Sequence, residues 1–124
     1  MQYRNILLID DDDDDQEIFL TAMEEVSGLA TCTAVSDGAT ALRKLVAKEL
    51  HPDVIFLDLN MPLMSGQQFL TEIKKNTDLK NIPVIIFSTS SNPETIKEAS
   101  RLGAQSFITK PEGYNELINL LGRL

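Results

Sequence analysis

Cysteine and histidine occur once each, as Cys32 and His51, and tryptophan is absent. One cysteine excludes an internal disulfide, and a lone cysteine and histidine cannot assemble a zinc ligand set. Basic residues are also scarce, with 11 Lys and Arg against 19 Asp and Glu, leaving a net charge of -8. No basic stripe is available for a nucleic-acid backbone or for an anionic membrane surface. No apolar run approaches the length that crosses a bilayer. The opening MQYRNILLID lacks the charged, apolar and small-residue sections of a secretory signal. These absences make a cytoplasmic location the default expectation.

What is present is a pattern. The 124 residues, 43% of them hydrophobic, are enough for one good core and too few for two, so residues 1–124 read as one domain. Continuous apolar runs at 4–9 (RNILLI), 54–57 (VIFL) and 84–87 (VIIF) suit strands covered on both faces, as in a parallel sheet. Weaker strand signals lie at 31–35 (TCTAV) and 106–109 (SFIT).

Helical spacing fills the gaps. Ile18, Phe19, Ala22, Met23 and Val26 share one face, and Gly28 offers a stop. Ala39, Leu42, Leu45 and Val46 form a second stripe, and Phe69, Leu70 and Ile73 a third. Pro93 sits at the first position of a fourth helix, with Ile96 and Ala99 inward and Gly103 at its end. Tyr114, Leu117, Ile118 and Leu121 make the fifth. Five strands alternating with five helices predict an α/β fold, a doubly wound parallel sheet with helices on both faces. Ligands bind such sheets beyond the carboxyl ends of the strands.

The residues at those ends carry chemistry. Six consecutive aspartates, Asp10 to Asp15, follow the first strand, and Asp58 follows the third. Ser88 and Thr89 end the fourth, where either hydroxyl fits, and Lys110-Pro111 ends the fifth. Carboxylates gathered without a cation repel one another. Mg²⁺ removes that conflict, because it takes oxygen ligands and completes its shell with water and phosphate oxygens. Lys110 and a hydroxyl suit a phosphoryl group, which points to phosphoryl transfer onto a carboxylate. Successive strand residues point opposite ways, so Asp10 and Asp11 are not equivalent. Asp11 is expected to meet the metal directly and Asp10 mainly through water. Asp12 to Asp15 are expected to start the first helix, as cap and dipole partners only.

The ordered set ILLIDD, VIFLDLNMP, SG, PVIIFST and SFITKP, spread over essentially the whole chain, resembles a response-regulator receiver domain of two-component signalling. That resemblance implies a flavodoxin-like strand order 2-1-3-4-5. It implies Asp58 as phosphoacceptor and Asp10, Asp11, Asp58 and the Asn60 backbone carbonyl as Mg²⁺ ligands. It makes Ser88 the switch hydroxyl, Lys110 the conserved-type lysine and Phe107 the switch aromatic, a position that otherwise reads as core. Glu112 departs from the phenylalanine common after Lys-Pro. The implied donor is a phosphohistidine on a histidine kinase or histidine phosphotransfer protein. Output would run through the helix 4–strand 5–helix 5 face to a downstream protein, with no direct nucleic-acid or membrane contact. Such a domain is no dedicated enzyme, catalysing its own phosphorylation and slow dephosphorylation. With Leu124 directly after helix five, no output domain is expected to follow.

Two other readings compete. A Mg²⁺-dependent phosphatase acting on small molecules needs a lid and a second, leaving-group acid, for which the sequence offers no candidate. A receiver-like binding module acting without phosphorylation would keep the site only as a relic. Outside the site, His51 reads as a solvated loop residue, Cys32 as a small packed hydrophobe, and Met61 and Met64 as loop fillers.

Overall fold

A computed structural model describes residues 2–124. The strands are β1 (Asn5–Ile9), β2 (Thr31–Val35), β3 (Val54–Leu57), β4 (Val84–Ser88) and β5 (Ser106–Thr109). The helices are α1 (Asp13–Val26), α2 (Gly38–Val46), α3 (Gly66–Lys75), α4 (Pro93–Arg101) and α5 (Tyr114–Gly122). All five strands are parallel, in the order β2-β1-β3-β4-β5. The first strand is therefore flanked by the second and third, and the strand order reverses there.

Alternation along each strand builds two separate cores. Leu7, Ile9, Ile55, Leu57 and Ile86 face one side and pack with Leu45, Phe69, Leu70, Ile73 and Ala99 of α2, α3 and α4. Ile6, Leu8, Phe56, Ile85 and Phe87 face the other, against Phe19, Ala22 and Met23 of α1 and Leu117 and Leu121 of α5. Burial of each such side chain contributes roughly 1.5–3 kcal/mol, which explains why β3 is apolar throughout and β1 and β4 are apolar at all but one position, Asn5 and Ser88. Phe19, Phe56 and Phe87 form a triangle with ring centroids 5.1, 5.6 and 6.2 Å apart, all tilted or edge-on.

Several helix details differ from expectation. α1 ends at Val26, where the Ser27 N–H donates to the Met23 carbonyl, so Gly28 lies past the cap and stops nothing. Gly103, by contrast, does close α4, in a left-handed conformation at φ 106°. In α2 the buried face is Gly38, Ala41 and Leu45, while Ala39 and Val46 are exposed. Leu42 and Leu45 of the predicted stripe do face the core, and the seating of Gly38 against Met64 and Phe69 turns Ala41 inward in place of Ala39 and Val46. Ile18 is likewise 47% exposed, lying beside the face that Phe19, Ala22 and Met23 bury. Met61 is buried in the core and Met64 packs against it, so both do more than fill a loop.

The register sets the rim. Ile9 pairs with Leu57, so Asp10 and Asp58 emerge side by side. Backbone bonds extend the ladder one step further: Asp58 N–H donates to Ile9 O (3.0 Å), Asp10 N–H to Val35 O (3.1 Å), and Lys110 N–H to Ser88 O (2.8 Å). The first residue beyond β1, β3 and β5 is thus still held by the backbone ladder.

Candidate functional site

Three carboxylates and one ammonium meet at this rim. Asp10, Asp11 and Asp58 each offer an oxygen, and these ligand atoms all lie within 4.8 Å of one another. Asp10 and Asp58 are buried, 1% and 7% exposed, while Asp11 faces solvent. Lys110 Nζ stands 2.9 Å from Asp10 Oδ2, 3.0 Å from Asp15 Oδ2 and 3.3 Å from Asp58 Oδ2. It also lies over the Phe87 ring, 5.8 Å from its centroid.

Local backbone holds the carboxylates. Asp10 Oδ1 accepts the Asp12 N–H at 3.0 Å, and Asp58 Oδ1 accepts the Asn60 N–H at 3.1 Å. The Asn60 peptide is therefore drawn against the Asp58 carboxylate. Gln16 Nε2 donates to the Asp10 carbonyl at 2.6 Å and to Ser36 Oγ at 3.1 Å, tying α1 to the rim. Gly66 opens α3 directly behind Asp58, and a Cβ there would come within 2.6 Å of both Asp58 O and Leu59 Cα. Only a glycine lets the helix approach that closely.

Electrostatics follow from the geometry. Burial pushes the Asp10 carboxyl above its ordinary range, although the Asp12 N–H and Lys110 act in the opposite sense. Burial also opposes the Lys110 charge, but hydrogen bonds to Asp10 and Asp15 and the charge of Asp58 outweigh it. The ammonium is accordingly held well above the usual lysine range. Two buried carboxylates and the exposed Asp11 share one nearby cation, so the site carries uncompensated negative charge. An all-oxygen set of this kind fits a hard divalent cation such as Mg²⁺.

The remaining predicted residues occupy different settings. Ser88 is fully buried at the end of β4, and its Oγ accepts the Ser90 N–H at 3.4 Å, whereas Thr89 is exposed. Phe107 of β5 is half-buried and packs against the α2–α3–α4 core. His51 is exposed in the loop before β3, at the opposite end of the strands. One expectation fails: Asp15 does not serve the helix start alone, since its carboxylate reaches Lys110. Asp12 is the N-cap, its Oδ1 accepting the Asp15 N–H at 3.0 Å, with Asp13 and Asp14 exposed in the first turn. Sequence reasoning also gave no role to Gln16 or Phe87, and nothing in a single sequence distinguishes them from neighbouring residues.

The pocket defines a class: a doubly wound α/β domain whose strand ends join an acidic cluster to one lysine. Residues 6–122 match the family model of the response regulator receiver domain. The chain belongs to that family of two-component signalling proteins. Among solved structures it is similar to the phosphorylated cyanobacterial phytochrome response regulator RcpA, with a TM-score of 0.89 and 31% identity, over 98% of this chain and 90% of that one. The Mn²⁺-bound form of the response regulator Rcp1 superposes with a TM-score of 0.81 at 29% identity, over 97% and 90% of the two chains. A protein-glutamate methylesterase/protein-glutamine glutaminase of Treponema denticola is 37% identical over 97% of this chain. The chain spans only 32% of that relative's length.

Proposed function

We propose that this chain is a phosphorylation-controlled switch in which Asp58 accepts a phosphoryl group from a phosphohistidine on a histidine kinase or histidine phosphotransfer protein. The observation that carries the reading is the meeting of Asp58 with Lys110 and the Asp10–Asp11 pair at one pocket. An Asp58 carboxylate oxygen attacks phosphorus, the new O–P bond forms, and the N–P bond to the donor imidazole breaks with its electron pair leaving on nitrogen. Lys110 donates to an equatorial phosphoryl oxygen in place of its bond to Asp58 Oδ2. Ser88, turning from the Ser90 N–H, donates its hydroxyl to another. Asp10, Asp11, Asp58 and the Asn60 carbonyl would hold Mg²⁺, which supplies charge neutralisation for the transferring group.

The response is a repacking. Movement of Ser88 toward the phosphoryl group vacates room at the end of β4, and Phe107 turns inward to fill it. The α4–β5–α5 face changes shape and engages a downstream protein in the cytoplasm. Labelling from a phosphorylated kinase, or from a radiolabelled small phosphodonor with Mg²⁺, tests the core of this reading. Wild type takes up label and Asp58→Asn does not. Equal labelling of the two would remove Asp58 as acceptor.

A further inference from the structure

An ammonium has three protons to donate, and Lys110 finds a carboxylate for each of them: Asp10, Asp15 and Asp58. The three are not equivalent. The bond to Asp58 is the longest at 3.3 Å, and it is the one that phosphorylation of Asp58 would replace. Asp10 belongs to the acidic cluster and is also committed to the Asp12 N–H. Asp15 lies outside that cluster, and Lys110 is its side chain's one polar partner among the described residues.

The placement of Asp15 is rigid. It sits in the first turn of α1, with its own N–H capped by Asp12 Oδ1 and the following residue, Gln16, bonded to the Asp10 carbonyl. The Asp15 side chain is 43% exposed and the Lys110 side chain 12% exposed, so the pair reaches from solvent into the pocket. A half-exposed ion pair adds little to stability. Its use is directional: Asp10 and Asp15 grip Nζ at 2.9 and 3.0 Å from two elements, and the third proton is left aimed at Asp58.

We propose that Asp15 is a positioning residue for the phosphoryl transfer, holding Lys110 from the α1 side so that its remaining N–H meets the phosphoryl oxygen on Asp58. This rests on the functional reading above. With Asp15 removed, the ammonium keeps only carboxylates that the cation and the phosphoryl group also claim, and its direction is no longer set by the fold.

The test compares wild type, Asp15→Ala, Asp15→Glu and Asp58→Asn, using radiolabelled acetyl phosphate at saturating donor across a Mg²⁺ series. Asp15→Ala lowers the maximal labelling rate by about tenfold and leaves the Mg²⁺ concentration for half-maximal rate within about twofold, while Asp15→Glu recovers much of the loss. The ¹⁵N resonance of the Lys110 side chain shifts in Asp15→Ala and returns toward wild type in Asp15→Glu. A helix-starting role alone would lower the melting temperature without moving the maximal rate or that resonance. If wild type labels, Asp58→Asn does not, and Asp15→Ala labels as fast as wild type or faster, the positioning role is wrong and the acceptor assignment stands. If wild type takes no label, the phosphoacceptor reading falls and this role with it.

Discussion

Lys110 and Asp10, 100 residues apart in sequence, meet at 2.9 Å where the first and fifth strands end. The parallel topology delivers every strand's carboxyl end to the same rim and leaves β1 and β3 adjacent there, and the long Lys110 side chain reaches from β5 past the ends of β4 and β3 to Asp10. Charge gathered this way is a stability cost accepted for function. Asp10 is 1% exposed and its carboxyl titrates above the ordinary range because burial disfavours its charge.

That cost gives a prediction with a definite sign. Below the ordinary carboxylate range Asp10 is protonated in both folded and unfolded chains and adds no pH dependence. As pH rises between the unfolded and the raised folded pKa, the folded chain still holds a proton the unfolded chain has released, so stability falls through that window. Above it the cost is fully present. Asp10→Asn, which keeps an acceptor for the Asp12 N–H, therefore stabilises the metal-free protein at pH 7, and its advantage shrinks as pH falls toward 4. Urea unfolding in EDTA across pH measures this, and an Asp10→Asn midpoint below wild type at pH 7 would refute it.

A divalent cation should relieve the same strain from outside. Mg²⁺ at about 100 times its Kd raises unfolding stability by roughly 2.7 kcal/mol. Asp11→Ala removes the exposed ligand and most of that gain, while changing metal-free stability little because Asp11 is solvated. Thermal unfolding with and without Mg²⁺ is the measurement. An equal rise in both proteins would place the cation elsewhere.

Much of this site was legible in the sequence because the buried apolar runs ILLI and VIFL end abruptly, and the weaker run SFIT ends at Lys-Pro. The first charged or hydroxyl residue after NILLI, VIFL and SFIT is therefore at the rim by construction, which locates Asp10, Asp58 and Lys110. Side-chain direction is not legible in this way. Asp12 to Asp15 look alike as letters, and only the pitch of α1 turns Asp15 to Lys110 while leaving Asp13 and Asp14 in water. In α2 the predicted stripe held at Leu42 and Leu45 but missed Ala41, which is buried where Ala39 and Val46 are exposed. The SG pair was visible as a motif, but its steric purpose lies in the approach of α3 to the Asp58 backbone, which sequence spacing does not record.

That purpose is testable. Gly66→Ala places a methyl carbon 2.6 Å from Asp58 O and Leu59 Cα, both backbone atoms with no flexible end to give way. Helix propensity alone would favour alanine by up to about 1 kcal/mol. Overpacking outweighs it, with a net loss of roughly 1–2 kcal/mol. The displacement falls on Asp58, so amide resonances of residues 58–60 shift and labelling slows. Unchanged stability together with unmoved Asp58 and Asn60 peaks would show that the close approach is dispensable.

Cys32 allows a prediction away from the site. It lies on β2, half-buried where it packs against the α1–α5 core, and that burial pushes its thiol from 9.0 up to about 12. The thiolate is the reactive form. At pH 8 the folded chain then carries about 10²–10³ times less thiolate than the unfolded one, and a disulfide reagent modifies it correspondingly slowly until urea unfolds the protein. The linkage runs against stability at high pH. Above about 9 the unfolded chain gains a charge that the folded chain refuses, so stability falls with pH, and Cys32→Ala removes that component of the slope. Native-state modification as fast as that of the unfolded chain would mean that β2 opens freely or that the thiol is solvated. Either result would contradict its packing against the sheet.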